Sequence, residues 1–246
     1  MLYHLGAVPY WNSLPLIHYL PLDEKPRLEV PAALARLLKI GEIDIATAPI
    51  VTLFENPHYT LIPGVCIGSR GAVKSVKLFF TSPEVTVHNV KTIYLDMESK
   101  TSALLLKVLL KFKYGRDLND IQFFHPLPPR HVEGKLLIGD KAMLELPTNP
   151  ALDLGEEWTS WTGLPFVFAA WMSRHPEVSD KAIQELQQAR DQGVKNIASV
   201  IPHKTSLPFE VIKSYLENLN YFLGTEETKA IALFKDYIFK AELLKS

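Results

Sequence analysis

The residues best suited to chemistry are short polar side chains that stand beside glycines or at the starts of predicted helices. In "PYWNSLPL", Asn12 and Ser13 directly follow the first predicted strand and precede a helix. An amide or a hydroxyl at such a point either caps the helix or contacts a ligand. Both roles stay open for Ser13, whereas for Asn12, which follows Trp11, we favour a ligand contact.

A second polar cluster lies within "GVCIGSRGAVKSVKLFF", which otherwise reads as buried strand. Gly68 and Gly71, which flank Ser69 and Arg70, allow the backbone amides to form a concave set. Ser75 adds a hydroxyl. Amides beside a guanidinium suit a carboxylate. The alternative is a glycine-punctuated turn with a solvated arginine.

A third cluster opens the helical pattern in "DMESKTSALLL", where Thr101 and Ser102 stand at the predicted N-terminus. Unpaired N–H groups and the positive end of the helix dipole favour an anion there. Serine and threonine are also common helix caps. Two such anion-prone clusters, one in each predicted lobe, would suit a ligand with two carboxylates.

Several familiar sites are missing from the sequence. It has no Walker loop, no dinucleotide-binding Gly-x-Gly-x-x-Gly, no Gly-x-Ser-x-Gly elbow, and no His or Cys pair at zinc spacing. We therefore expect neither a metal nor a cofactor.

The elements that must position these clusters alternate between strand and helix, which indicates an α/β fold with a parallel sheet. Leu34, Leu37 and Leu38 form the apolar stripe of one helix, Gly41 stands where its C-cap belongs, and the next strand ends at Pro49. Ligands of such sheets bind beyond the carboxyl ends of the strands.

A second α/β unit begins near Val90, so we predict two lobes with a ligand cleft between them. Lobe 1 comprises residues 1–85 and 175–246, and lobe 2 comprises residues 86–174. Three helical patterns close the chain. Their apolar faces fit an intrachain core, although a homodimer surface stays possible.

The composition narrows the class of partner. The 246 residues are 47% hydrophobic and carry a formal net charge of −1, so no overall field favours nucleic acid or an acidic membrane. We find no apolar run of membrane-spanning length, no signal-peptide pattern, and a single cysteine, Cys66. We expect a soluble cytoplasmic protein that binds a small molecule.

Six segments taken together go beyond this class. They are "VPYWNSLPL", "GEIDIATAPI", "CIGSRGAVKSVKLF", "KTSALLLKVLL", "LLIGDKAML" and "DLGEEWTSWTGLPFVFAAW". In their order and spacing, these segments resemble the chorismate dehydratase family of the futalosine route to menaquinone. The resemblance implies the fold of type 2 periplasmic solute-binding proteins. It also implies conversion of chorismate, a dicarboxylate, to 3-[(1-carboxyvinyl)oxy]benzoate and water without a cofactor, which makes the protein a hydro-lyase.

The resemblance also assigns roles to residues. Asn12 matches the asparagine of the N-terminal motif and Ser75 the serine that closes the glycine-rich motif, and both are predicted to be catalytic. Together with the reasoning from the residues themselves, the predicted substrate-binding residues are Ser13, Ser69, Arg70, Gly71, Thr101 and Ser102. The chain departs from the family at Lys100, where arginine is frequent, and at Ala72, where proline is.

Three other interpretations fit parts of the same pattern. One is the related enzyme that forms 1,4-dihydroxy-6-naphthoate later in the route. Another is a non-catalytic binding protein for a small carboxylate, against which the missing signal peptide counts. The third is an inactive regulator with the same fold.

Overall fold

The computed structural model describes residues 3–21, 25–126, 130–145 and 149–244. The chain divides into two compact units, each assembled from separate stretches of sequence. Unit 1 contains Met1–Ser69 and Val167–Thr228, and unit 2 contains Arg70–Phe166 and Lys229–Ser246. The chain therefore passes from one unit to the other three times.

Eleven strands and ten α-helices make up the described parts of the two units. The strands are β1 (Leu5–Ala7), β2 (Arg27–Leu28), β3 (Ile45–Pro49), β4 (Thr60–Ser69), β5 (Val76–Phe80), β6 (Thr92–Leu95), β7 (Gln122–Phe124), β8 (Gly134–Ile138), β9 (Ala151–Asp153), β10 (Phe166–Ser173) and β11 (Asn220–Leu223). The helices are α1 (Leu14–Ile17), α2 (Pro31–Ile40), α3 (Val51–Glu55), α4 (Lys100–Val108), α5 (Gly139–Leu144), α6 (Leu154–Thr162), α7 (Asp180–Lys195), α8 (Ile197–Val200), α9 (Phe209–Asn218) and α10 (Thr225–Lys240). None of the helices in these ranges has both the length and the apolar character needed to cross a membrane.

The sheet of unit 1 has six strands in the order β11-β4-β10-β3-β1-β2. Strand β1 runs parallel to β2 and β3, whereas β10 runs antiparallel to β3. Helices connect the parallel strands, because parallel neighbours need a crossover rather than a tight turn. The carboxyl ends of β1 and β3 consequently meet at one edge of the sheet.

Helix α2 shows how the sequence specifies one of these crossovers. Its stripe of Leu34, Leu37 and Leu38 is fully buried in a core that includes Ile43 and Met172. Gly41 follows the helix with a φ of 81°, and its N–H donates to the carbonyl groups of Leu37 and Leu38. This left-handed conformation strains residues with a Cβ, which explains why a glycine stands here. The predicted glycine cap is confirmed.

The sheet of unit 2 has five strands in the order β7-β6-β8-β5-β9. Strand β6 pairs parallel with β7 and β8, whereas β5 pairs antiparallel with β8 and β9. Both sheets mix parallel and antiparallel pairs and both are associated with helices. The predicted α/β class is confirmed.

The apolar stretch of residues 64–80 does not belong to one sheet. Residues up to Ser69 form the end of β4 in unit 1, and β5 begins at Val76 in unit 2. The units divide at 69/70 and 166/167, whereas we predicted boundaries at 85/86 and 174/175. Both strands are apolar and buried, so hydrophobicity alone does not distinguish the two sheets.

Aromatic residues form the core of unit 2. Trp158 is fully buried, contacts Phe166 with 5.2 Å between ring centroids, and donates from Nε1 to the carbonyl oxygen of Pro165 at 3.0 Å. From α10, Phe234 lies 4.9 Å from Phe166, and Tyr237 stacks on Trp161 at 4.9 Å. The end of α10 therefore belongs to unit 2, although we predicted it in the first lobe.

Candidate active site

Asn12 lies in unit 1, in a short 3-10 turn (Trp11–Ser13) between β1 and α1. Its Oδ1 atom is buried and has no hydrogen-bond partner among the residues that the structure describes. A buried acceptor left unpaired costs about 1–3 kcal/mol, so natural proteins rarely keep one without a use. The unpaired oxygen supports the predicted ligand contact, which the geometry alone does not test.

Ser13, the next residue, is used differently. It is fully buried, and its hydroxyl lies 2.6 Å from the carbonyl oxygen of Val8 and 2.8 Å from that of Tyr10. The hydroxyl makes no capping bond to the amides of α1. Ser13 therefore holds the loop that presents Asn12, and a direct contact with substrate stays a prediction.

Thr52 was not among the predicted site residues. It lies in α3, directly beyond the carboxyl end of β3, and its buried Oγ1 lacks a partner within the described ranges. The neighbouring end of β1 is linked to β3 through the Val8 amide, which donates to Thr47 Oγ1 at 3.2 Å. In the sequence, the one indication of a site here was that the strand ends at Pro49, because ligands of open sheets bind beyond the strand ends.

Helix α4 in unit 2 begins without a side-chain cap. The hydroxyl of its N-cap residue, Ser99, donates to the carbonyl oxygen of Asp96 at 2.7 Å and accepts no capping bond from the helix amides. We find no acceptor for the amides of Thr101 and Ser102 in the described part of the chain, and Thr101 Oγ1 is buried and unpaired there. Amides, a hydroxyl and the positive helix end together are suited to an anion, and the anion site expected at this position stays a prediction.

The register of the second sheet places Ser75 at the same edge as the start of α4. Val76 pairs with Ile138, and the Gly139 amide donates to the carbonyl oxygen of Ser75 at 2.8 Å. On the other side of β8, the amide of Asp96 donates to Leu136, just before α4 begins. Unit 2 thus brings three predicted residues, Ser75, Thr101 and Ser102, to one edge.

Lys141 fixes the connection before α4. Its Nζ lies 2.9 Å from Glu98 Oε2 and 3.3 Å from Asp96 Oδ2. Partial burial lowers the pKa of Lys141, but the hydrogen bond that its ammonium donates to Glu98 and the charge of Asp96 outweigh this effect and raise the pKa overall. The ammonium group therefore stays charged at neutral pH and holds the segment that leads into α4.

The glycine-rich loop does bind a carboxylate, but it is one of the protein's own. The amides of Val73 and Lys74 donate to the two oxygens of Asp153 at 2.9 and 2.7 Å. The Gly71 amide donates to Thr159 Oγ1 at 3.0 Å. These three amides are therefore not the open cradle for a ligand that the sequence suggested, because Asp153 and α6 supply the acceptors.

The other predicted residues of this loop lie on either side of the division between the units. Ser69 is fully buried at the end of β4, Arg70 is exposed, and Ser75 is buried at the start of β5. Gly71 has a φ of 94°, and a Cβ placed there would meet nothing within 4 Å. The assigned roles of these four residues stay predictions.

The sequence carries one signal for the position of Asp153. In "DLGEEW", an aspartate stands directly before a helix and a glutamate follows three residues later, which is typical of a helix N-terminus. The hydrophobic pattern alone indicates only an amphipathic or irregular segment, whereas the capping pattern also indicates the start of α6. As for metals, the described residues contain no group of three or more His, Cys, Asp or Glu side chains arranged to hold an ion.

Solved structures define the class of the fold. An Archaeoglobus fulgidus protein matches with a TM-score of 0.71 at 14% identity, covering 98% of both chains. The periplasmic aliphatic sulphonate binding protein of Escherichia coli matches with a TM-score of 0.61 at 18% identity, over 98% of this chain and 87% of that one. The predicted fold of the periplasmic-binding-protein type is confirmed, and a ligand cleft between the lobes stays a prediction.

Sequence comparison is more specific. The family described as menaquinone biosynthesis matches residues 3–240, and the chain belongs to this family. A chorismate dehydratase of Thermus thermophilus is 30% identical, over 95% of this chain and 94% of the relative. A chorismate dehydratase of Campylobacter jejuni is 28% identical, over 89% of this chain and 86% of the relative.

Proposed function

We propose that this protein is a hydro-lyase that converts chorismate to 3-[(1-carboxyvinyl)oxy]benzoate and water, and that it acts in the cytoplasm. The observation that carries the proposal is the likeness to two chorismate dehydratases over most of the length of both chains. The unpaired polar atoms at the positions predicted from the sequence add support from the structure.

The open start of α4 is the proposed site for one substrate carboxylate. The amides of Thr101 and Ser102 and the hydroxyl of Thr101 would donate to its oxygens. Charge-assisted hydrogen bonds of this kind are roughly twice as strong as neutral ones. The first turn of α4 contains no acidic residue, and its N-cap Ser99 makes no side-chain capping bond but donates its hydroxyl to Asp96.

Asn12 is proposed to orient the reacting part of the substrate. Its Oδ1 can accept a hydrogen bond from the C4 hydroxyl, and its amide group can donate to a substrate oxygen. The first contact would pair an acceptor that is buried and has no partner in the described ranges of the chain. Ser75, which the register of the second sheet fixes beside Gly139, is the proposed hydroxyl donor in the other unit.

The chemistry requires little from the protein beyond orientation. Removal of the proton at ring carbon C3 forms an anion that the ring carboxylate stabilises, and departure of the C4 hydroxyl as water makes the ring aromatic. The enolpyruvyl carboxylate of the substrate can accept the C3 proton and pass it to the leaving C4 hydroxyl, which then departs as water. Positioning and fixed dipoles are therefore the protein's proposed contributions.

The direct test is to mix the purified protein with chorismate and follow the ultraviolet spectrum and the mass of the product. We expect a benzoate spectrum and a product lighter by one water. Heat-denatured protein under the same conditions controls for spontaneous decay of chorismate. Intact chorismate in the presence of folded protein would contradict the proposal and favour a binding role.

A further inference from the structure

The carboxylate of Asp153 joins two segments of unit 2. Its Oδ1 accepts from the amides of Gly155 and Glu156 in α6, at 3.0 and 3.2 Å, and from the amide of Val73 at 2.9 Å. Its Oδ2 accepts from the amide of Lys74 at 2.7 Å. The residue is 9% exposed. One carboxylate therefore receives four backbone hydrogen bonds, two from a helix and two from a loop.

A helix cap alone does not require this arrangement. A serine hydroxyl at the N-cap is sufficient to accept from the first free amides of a helix. In Asp153 the second oxygen is turned to Lys74, outside the helix. The additional bonds therefore serve the loop rather than α6.

The loop needs external support at this point. Lys74 has a φ of 65°, in the left-handed region that is unfavourable for residues with a side chain. Lys74 directly precedes Ser75, whose carbonyl oxygen accepts from the Gly139 amide at 2.8 Å. The backbone around Ser75 is thus fixed by Asp153 on one side and by α5 on the other.

We infer that Asp153 is a positioning residue for Ser75 in the reaction proposed above, an inference that rests on the proposed function. By holding Lys74 in a left-handed conformation, Asp153 fixes where the Ser75 hydroxyl points. A misplacement of about 1 Å in a reacting group lowers a rate by about 100-fold. Loss of the loop contacts should therefore reduce turnover without unfolding the unit.

Two variants separate the loop contacts from the helix cap. Asp153→Ser keeps an N-cap oxygen for α6 but is too short to reach the loop. Asp153→Asn keeps an acceptor for the amides on Oδ1 and turns an NH₂ group towards the Lys74 amide. Asp117→Asn is the matched control, because Asp117 also caps a helical turn of unit 2, accepting from the Asn119 amide at 2.9 Å.

The measurements are amide hydrogen exchange at Val73 and Lys74 without substrate, and kcat and KM for chorismate at a temperature where every variant is folded. For Asp153→Ser we expect faster exchange at both amides and a loss of about 100-fold, mainly in kcat. For Asp153→Asn we expect a loss of about 10-fold, since only the Lys74 contact is broken. Asp117→Asn should change kcat by no more than about twofold.

The outcomes distinguish this inference from the proposed function. A wild-type protein that leaves chorismate intact overturns the proposed function and, with it, the role assigned to Asp153. An active wild type with an equally active Asp153→Ser variant overturns the inference alone. Unchanged exchange at Val73 and Lys74 overturns it as well, since the loop would then hold its conformation without the carboxylate.

Discussion

Two helices of unit 2 begin in opposite ways. At the start of α6, Asp153 places a carboxylate on the free amides, whereas at the start of α4 the N-cap Ser99 donates to Asp96 and leaves the amides open. Helix N-termini favour negative charge wherever they occur. At α6 the protein supplies the carboxylate itself and uses it for structure. At α4, where we propose that a substrate carboxylate binds, the N-cap side chain supplies no acceptor.

The closed site also shows how a carboxylate is held in this unit. Around Asp153, amides from a helix and from a loop converge on two oxygens at 2.7–3.2 Å. A substrate carboxylate at α4 would find a similar set of donors in the amides of Thr101 and Ser102, with the Thr101 hydroxyl added. Variants at both helices test whether α4 is the open counterpart of α6.

The largest effect should come from closing the α4 site with a charge of the protein's own. Ser102→Asp puts a carboxylate at the third position of the helix, where the dipole tolerates it, so the fold should be retained. Because that charge repels a dianionic substrate and occupies its donors, we expect kcat/KM for chorismate to fall by about 100-fold or more.

Ser102→Asn is the matched control for this change, because it has nearly the same shape without the charge. It should lose much less activity than Ser102→Asp when kcat/KM is measured for both. Equal losses would show that size rather than charge matters at α4, and the comparison with α6 would fail.

In unit 1, variants of the neighbouring residues Asn12 and Ser13 should separate an effect on activity from an effect on stability. Asn12→Ala removes an oxygen that has no partner among the described residues, so we expect a change of about 0.5 kcal/mol or less in the free energy of unfolding. Activity should nevertheless fall by about 30-fold, since the substrate loses an orienting group.

Ser13→Ala should show the reverse emphasis. It breaks the buried bonds to Val8 and Tyr10 and should lower stability by about 1–2 kcal/mol, with a smaller loss of turnover than Asn12→Ala. Urea unfolding and the chorismate assay on both variants provide the check. A larger stability loss at Asn12 than at Ser13 would contradict the assignment.

Alanine substitutions at two glycines of unit 2 test the space beside the glycine-rich loop. Gly71 and Gly163 have φ values of 94° and 72°, and a Cβ at either would meet nothing within 4 Å. Alanine at each should therefore cost only backbone strain, about 1–2 kcal/mol. If substrate occupies the space beside Gly71, only Gly71→Ala should also lower kcat/KM, by about 10-fold. Parallel losses of activity in both variants would rule out that role.

The smallest effect concerns the carboxylate of Asp44, which a backbone amide and two histidine rings hold. Burial raises the pKa of Asp44, but hydrogen bonds from the His4 amide and from the rings of His175 and His4 outweigh burial and lower it overall. A carboxylate with a lowered pKa in the folded state stabilises the fold above its unfolded pKa, and this contribution is lost as the pH falls through the folded value.

Asp44→Asn should therefore lower the free energy of unfolding by about 1 kcal/mol at neutral pH. The difference from wild type should shrink as the pH is lowered below about 4. Chemical denaturation at several pH values measures this difference. A gap that does not change with pH would show that the charge of Asp44 contributes nothing to stability.

Much of the local structure could be predicted because single residues determine it. Gly41 ends α2 through a backbone conformation that glycine adopts without strain, and the start of α4 follows from the serine and threonine residues before an apolar helix. The same rules located Asn12 between a strand and a helix. Such signals depend on a few neighbouring residues and need no knowledge of the rest of the fold.

Other features depend on residues distant in sequence. Strands β4 and β5 look alike as apolar runs, and only their partners, β11 in one sheet and β8 in the other, assign them to different units. Likewise, nothing in "GSRGAVKS" shows that the amides of Val73 and Lys74 are already bound to Asp153, about 80 residues further along the chain. The glycine-rich pattern led us to expect a carboxylate of the ligand at these amides, whereas the long-range fold places the carboxylate of Asp153 there.

Helix α10 changes units after residue 228, so the last turns of the chain complete the core around Trp158. A ribosome adds about 5–20 residues per second, which leaves roughly 4–16 s between the synthesis of Trp158 and that of Tyr237. Throughout that interval the indole lacks the ring contacts that α10 supplies. Unit 2 therefore cannot complete its aromatic core until Phe234 and Tyr237 have been synthesised.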